Sequence, residues 1–217
     1  MRCITTQGMK FYCRPGDLGQ WDESIVSGCL KGMYGDGFTG TVIDIGAHIG
    51  GFSILAAQTA ERVIAFEAST ANYEMLLRNI EVNGLANIEA RHLAVVGDGK
   101  PVSLFVNSQN SGRNSVFSIG QDHAGAEMVE GVTLEAILDE VDEVDFLKSD
   151  CEGAEYGFFF ATPVEKLRKI KKMGIEAHTC ETATFEDLIS FLSCAGFSVS
   201  MSPSLAASAR MLFIERV

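Results

Sequence analysis

Five short apolar runs recur along this chain, each followed by room for a helix, and that recurrence constrains the fold more than any other feature. Residues 41–45, 62–66 and 144–149 are the most apolar, with 88–96 and 173–178 more mixed. They are too short for helices, and continuous rather than alternating apolar character marks strands buried on both faces. Between them the period changes. Tyr73, Leu76, Leu77 and Ile80 share one face of a helix over 70–82, closed by Asn83-Gly84. Further helices are expected over 52–59, 133–141, 153–161 and 184–194, and from Pro163 to 172, since proline suits a first turn. Residues 197–201 and 211–216 read as closing strands, and 102–106 with 115–119 as a hairpin around a polar loop. Strands alternating with helices imply an α/β protein with a mainly parallel, seven-stranded, Rossmann-like sheet and helices on both faces.

Residues 41–217 therefore read as one globular unit. Residues 1–40 follow another pattern: a short strand over 9–13, a helix over about 18–30, and a linker punctuated by Gly32, Gly35, Gly37 and Gly40. They read as an N-terminal lid or extension, with Trp21 either part of that lid or a core plug. Ligands in such sheets sit outside the carboxyl ends of the strands, at the point where strand order reverses. Strand ends are therefore where function is to be sought.

Charge narrows the partners. The net charge is −12 and the pI about 4.7, a field that repels phosphate, so nucleic acid is not an expected substrate. The one basic cluster (Lys166, Arg168, Lys169, Lys171, Lys172) reads as the solvated face of a helix. The six cysteines form no CxxC pair and read as reduced thiols of a cytoplasmic protein. The N-terminal residues lack the apolar stretch of a signal peptide. The uncharged stretch over 188–209 is too rich in Ser, with Gly196 and Pro203, to span a membrane.

Two strand ends carry chemistry. The first is Asp44-Ile-Gly-Ala-His-Ile-Gly50, joining strand to helix, with Glu67 at the end of the next strand. Gly46 permits a tight turn and close approach of a ligand, and Gly50 permits close packing at the helix start. Glu67 lies where an acid binds ribose hydroxyls. A dinucleotide fingerprint wants a middle glycine, and His48 stands there instead. S-adenosyl-L-methionine, with its cationic sulfonium and ammonium, suits the looser spacing and the acid Asp44 better. An ordinary βα turn is the plain alternative. The second strand end runs into Asp150, Glu152, Gly153 and Glu155. Carboxylates so dense at a strand end are costly unless they bind something or stay wet. Asp150 reads as facing the cleft; Glu155 reads equally as a helix cap and as a functional acid.

Together, the segments DIGAHIG, FEAS, LKSDCEGAE and GIEAH resemble the FkbM family of S-adenosylmethionine-dependent methyltransferases over about residues 38–198. The acidic segment is the most specific of the four. The resemblance implies a class I methyltransferase sheet and methylation of hydroxyl oxygens on sugars, polyketides or similar small metabolites. It implies that Asp44, Gly46, Ala47, His48, Gly50, Glu67, Ala68, Asp150 and Glu152 line the cofactor, with Glu67 on the ribose. Ala68 stands where the family usually has proline, and Cys151 where valine is common.

A hydroxyl acceptor must be positioned and must lose a proton. Glu176 and His178, two apart on a strand, face the same side and end beside Asp150. His178 is the candidate base, Glu176 its orienting or substrate-binding partner, and Asp150 the third catalytic candidate. A satisfied structural histidine is the alternative for His178. Asp150, Glu152, Glu176 and His178 are donors of the kind that suit Mg or Mn, but a metal-free mechanism ranks above a metal site. His48 reads as shielding the turn, His92 as packed on the third strand, and the loop over 107–115 as a cover for the cofactor or a hairpin tip. Two rival functions remain open: an NAD(P)-dependent oxidoreductase, and a non-catalytic S-adenosylmethionine-binding partner protein. A homodimer is compatible with the sequence.

Overall fold

The computed structural model describes residues 1–6, 8–14, 17, 37–107, 110–117, 123–180, 182–201 and 209–217. The helix expected over 18–30, Trp21 and Cys29 lie outside these residues. Strands β1 (Arg2–Thr6) and β2 (Met9–Cys13) form an antiparallel hairpin. Strand β3 (Thr41–Ile45), helix α1 (Gly51–Ala56), β4 (Arg62–Phe66), α2 (Thr70–Asn83) and β5 (Ile88–Arg91) follow as two parallel βαβ units. An excursion holds β6 (Ala94–Val95), β7 (Val102–Asn107), a 3-10 turn at Ser111–Arg113, β8 (His123–Val129) and β9 (Gly131–Val132). Helix α3 (Leu134–Asp139) leads back to β10 (Val144–Ser149). Then come α4 (Glu155–Ala161), α5 (Val164–Leu167), β11 (Ile170–His178), α6 (Phe185–Cys194), β12 (Phe197–Met201) and β13 (Ala209–Arg216).

The main sheet has seven strands in the order β12-β13-β11-β10-β3-β4-β5, and only β13 runs against its neighbours. Strand period two divides the apolar side chains between two layers. Ile43, Ile45, Ile64, Phe66, Leu147 and Ile175 pack with α3, α4 and α6 on one face. Val42, Val63 and Phe146 pack with Phe52 and Ala56 of α1 on the other.

Four expectations need correction. The third strand does not run through 88–96: the chain leaves the sheet after Arg91, where His92 stacks on Tyr73 and its Nε2 lies 2.9 Å from the Ala68 carbonyl. Residues 94–95 then pair with β9. The hairpin partner of β7 is β8, and of the expected 115–119 residues 118 and 119 lie outside the described residues. Among the described ones only Ser115 bridges, to Phe105, because the Asn110 N–H bonds the Asn107 side chain and the Gly112 N–H that of Asn110. The helix after Pro163 stops at Leu167, since Ile170 already pairs with Val144 in the parallel ladder. The basic cluster is accordingly no helix face. Lys166 pairs with Asp139 and Lys172 with Glu215, while the Lys169 ammonium binds the Leu138 and Val141 carbonyls at the end of α3 and just past it.

On the side away from β1, strand β2 has no strand beside it among the described residues. Two asparagines of α2 take the place of that strand. Asn83 accepts from the Lys10 N–H and donates to its carbonyl, and Asn79 does the same for Tyr12. Asn79 also donates to the Ile49 carbonyl, so hairpin, helix and first turn are tied together.

The strand order reverses between β3 and β10, and there the backbones nearly touch. The Asp150 N–H bonds the Ile45 carbonyl at 3.1 Å, and a Cβ on Gly46 would lie 1.9 Å from the Asp150 carbonyl oxygen. Gly46 also has φ +76°, which disfavours any side chain. Gly84, which ends α2, has φ +63° but open space around it. Gly84→Ala is expected to cost about 1 kcal/mol from backbone strain alone, and Gly46→Ala at least about 3 kcal/mol from strain plus overlap. Urea unfolding of the two variants checks this, and equal losses would show that the switch point is not tightly packed.

Candidate active site

The first turn folds back on Glu67. Gly46 and Ala47 donate their N–H groups to the Phe66 carbonyl, at 3.0 and 2.9 Å. His48 takes the left-handed conformation, φ 53°, rare for a side-chain-bearing residue. That conformation aims its N–H at Glu67 Oε2, 2.7 Å away. The Gly50 N–H bonds the Ala47 carbonyl. These amides are already engaged, so they cannot cradle a pyrophosphate, and the geometry weighs against the dinucleotide reading.

Glu67 itself is 6% exposed. Its Oε1 accepts from the Ser69 N–H at 2.9 Å and from Asn72 at 3.3 Å. Three donors against about four lone-pair sites leave one acceptor position, on Oε2, for a ribose hydroxyl. Burial pushes the Glu67 carboxyl above its usual range. This carboxylate at a strand end fits the ribose of an adenosyl cofactor.

Not all the expected lining residues face the pocket. Asp44 is wholly buried beneath the turn, where Ser53 Oγ donates to it at 2.5 Å. Ala47 packs with Ala65 and Leu76, Ala68 packs against Ala94, Leu104 and Val129, and Gly50 lies against Leu76. All four are thus engaged in packing or in buried polar contacts. The residue the motif reading passed over is Lys148. Its ammonium donates to the Gly46 carbonyl at 2.7 Å and sits 3.3 Å from Asp44 and 3.8 Å from Asp150. The available signal was a lysine within a buried strand, inside the segment LKSDCEGAE itself.

Asp150, Glu152, Glu176 and His178 do come together. Glu152 (φ 52°) and Gly153 (φ 105°) turn the chain back after β10. Glu155 is fully buried and accepts from the Cys151 and Gly153 N–H groups, at 2.8 and 2.9 Å. It thus ties down the turn that leads into α4 rather than capping the helix, and its Oε1 also lies 3.5 Å from His178 Nδ1. His178 Nε2 is 3.7 Å from both Glu152 and Glu176. Burial opposes the imidazolium, but Glu155, Glu152 and Asp150 outweigh it and raise His178 to about 9. Burial, reinforced by Asp150, Glu155 and Glu176 and opposed by His178, raises Glu152 to about 7. Burial and Asp150 likewise raise Glu176. Asp150, Glu152 and His178 each offer a ligand atom within 4.8 Å of the others, a set of donors suited to Mg or Mn when the imidazole is neutral. His48 behaves otherwise: burial lowers it to about 4, so it is neutral. Of the phenylalanines in α4, Phe158 and Phe159 are core and Phe160 is exposed. The side chain of His123 lies outside the described residues.

A parallel sheet with this strand order, an acid-tipped second strand and a glycine turn at the switch point define a Rossmann-like methyltransferase fold. The sequence matches the profile of the methyltransferase FkbM domain over residues 44–199, well over half the chain. The protein belongs to the FkbM methyltransferase family, and that membership implies use of S-adenosyl-L-methionine. Three solved structures share the fold. A precorrin-8w decarboxylase from Methanobacterium thermoautotrophicum has TM-score 0.56 and 14% identity, over 95% of this chain and 97% of that one. A precorrin-6Y C5,15-methyltransferase from Geobacter metallireducens has TM-score 0.53 and 13% identity, over 89% of each chain. A methyltransferase FkbM from Methylobacillus flagellatus has TM-score 0.55 and 17% identity, over 82% of this chain and 44% of that one. No curated protein matches the sequence. Among the described residues, no helix is long and apolar enough to cross a membrane.

Lys148→Met would leave Asp44 buried without its cation. The expected loss is about 3–5 kcal/mol in urea unfolding. Asp44→Asn in the same chain should restore part of it, and strict additivity of the two changes would show that the pair does not interact.

Proposed function

We propose that this protein methylates a hydroxyl oxygen of a small metabolite such as a sugar or polyketide, using S-adenosyl-L-methionine, in the cytoplasm. The observation that carries the reading is the cluster of Asp150, Glu152, Glu176 and His178 at adjoining strand ends beside the cofactor turn. When bound, the cofactor supplies an electrophilic methyl group on a sulfonium. Glu67 would hold its ribose, the turn at Gly46 and His48 its methionine part, and Asp150 its cationic groups. The acidic chain favours a small acceptor over nucleic acid.

An alcohol gives up a proton as its oxygen is methylated. Glu152, poised at about 7, is matched to accept it at neutral pH. His178 was the base expected from its place on the strand. With its carboxylate neighbours it is protonated at neutral pH, so it positions Glu152 and Glu176 and balances their charge. Asp150, Glu152 and His178 would hold a metal only with the imidazole neutral, and the reading assigns no metal. The buried Glu155 carboxylate lies 3.5 Å from His178 Nδ1.

Calorimetric titration tests the cofactor. S-adenosyl-L-methionine and S-adenosylhomocysteine should bind, NADH should not, and Glu67→Ala should weaken binding at least about tenfold, the loss of one charge-assisted contact. Binding of NADH instead would overturn the methyltransferase assignment of the site. Binding without transfer to any hydroxyl acceptor, unchanged in Glu152→Gln, would favour the non-catalytic partner.

The pH profile tests the base. The rate constant kcat/KM should rise as Glu152 loses its proton near pH 7 and fall as His178 loses its own near pH 9. Glu152→Gln should lower kcat by about 100-fold and abolish the rising limb. A rising limb near pH 9 that survives Glu152→Gln and vanishes in His178→Asn would make His178 the base.

A further inference from the structure

One buried carboxylate has no part in the reading above. Asp17 follows the N-terminal hairpin and is only 1% exposed. Arg14 grips it three times: its N–H and Nε donate to Oδ2 at 2.7 and 3.0 Å, and Nη2 donates to Oδ1 at 3.2 Å. The fourth donor comes from far along the chain. Ser111 Oγ donates to Asp17 Oδ1 at 2.5 Å. A serine hydroxyl has one proton, so the 2.7 Å contact between Ser111 Oγ and His48 Nε2 has His48 as donor.

These bonds close a ring over the ribose acid. Arg14 Nη2 donates to Asn72 Oδ1. Asn72 in turn donates to Glu67 Oε1 at 3.3 Å and to the Ser111 carbonyl at 3.1 Å. His48 completes the ring through its backbone bond to Glu67. The hairpin that carries Arg14 is itself fixed to α2 by Asn79 and Asn83. Four separate pieces of chain thus meet above one carboxylate: Arg14 with Asp17, the first turn, the start of α2 and the turn at Ser111. The result is a Glu67 that is almost wholly covered, although its chemistry calls for contact with a ligand diol.

We propose that Asp17 is a cofactor-positioning residue: with Arg14 it straps Ser111 down over the ribose end of the pocket, and this strap must release for the adenosyl cofactor to enter or leave. The inference rests on the assignment of Glu67 to the ribose. The carboxylate of Asp17 is the element that counts, because it joins Arg14 directly to the Ser111 hydroxyl, whereas Asn72 reaches only the Ser111 carbonyl.

The test is stopped-flow exchange of S-adenosylhomocysteine from the whole protein. Asp17→Asn should raise the dissociation rate at least fivefold, and Ser111→Ala, which cuts the same link from the other side, should do likewise. The double variant should be no faster than the faster single one, because both changes open one latch. Thermal unfolding of the ligand-free variants supplies the control: a structural role alone would lower the midpoint without changing the exchange rate of the folded protein. If Asp17→Asn does not fold, Ser111→Ala still decides. Unchanged dissociation in a variant that folds and binds overturns the strap, as do multiplying effects in the double variant. Failure of the wild-type protein to bind S-adenosylhomocysteine overturns the ribose assignment, and the strap with it.

Discussion

Lys148 is a buried cation at the centre of the sheet, and the site is arranged around it. Withdrawing an ammonium from water is costly unless opposite charge and hydrogen-bond acceptors replace the lost hydration. Here the Gly46 carbonyl, Asp44 and Asp150 surround it. Each comes from a strand end beside the switch point, so solvating the lysine also fixes how the first turn and the β10 end approach each other. Gly46 leaves room for that approach, and Asp44 is held from behind by Ser53. Both features that looked like cofactor contacts in the sequence thus first serve the positioning of the backbone.

Asp150 links this interior pair to the open side of the site. One side of it faces Lys148, and the other shares a cluster with Glu152 and His178. His178 is there what Lys148 is below: a cation among carboxylates, with a fully buried acid 3.5 Å from its Nδ1. The difference is solvent and geometry. Lys148 donates a full hydrogen bond at 2.7 Å, whereas the carboxylates around His178 stand off at 3.5–3.7 Å. The lower pair is therefore a structural anchor, and the upper set can exchange partners and protons.

The fold was legible because buried parallel strands write themselves as unbroken apolar runs. Thr41–Ile45, Arg62–Phe66 and Val144–Ser149 stand in the structure where the sequence puts them. So does the meeting of Glu176 with His178, because period two leaves no other face. What failed to read was long-range or polar. The break after Arg91 depends on His92 finding Tyr73, and the lost hairpin pairing depends on asparagine side chains taking backbone N–H groups. Lys148 stood within the quoted acidic segment, but no local pattern shows that its partners are Asp44 and the Gly46 carbonyl. Asp17 and Ser111 lie 94 positions apart, and no local pattern joins them.

The same long-range polar contacts decide how the site handles charge. Glu67 accepts its hydrogen bonds from neutral groups and lies beside a neutral His48, so those dipoles, with the Lys148 charge behind them, stabilise its ionised form. Asp150, Glu152 and Glu176 instead share their surplus negative charge with one imidazolium. A cationic cofactor placed beside them competes with the protons they hold, since each added positive charge favours ionised carboxylates and a neutral imidazole. Proton affinity in this cluster is thus a property of the set and of what is bound to it, not of any single residue. The base is chosen by that shared balance. In the ligand-free protein the balance leaves Glu152 near neutrality and the proton on His178.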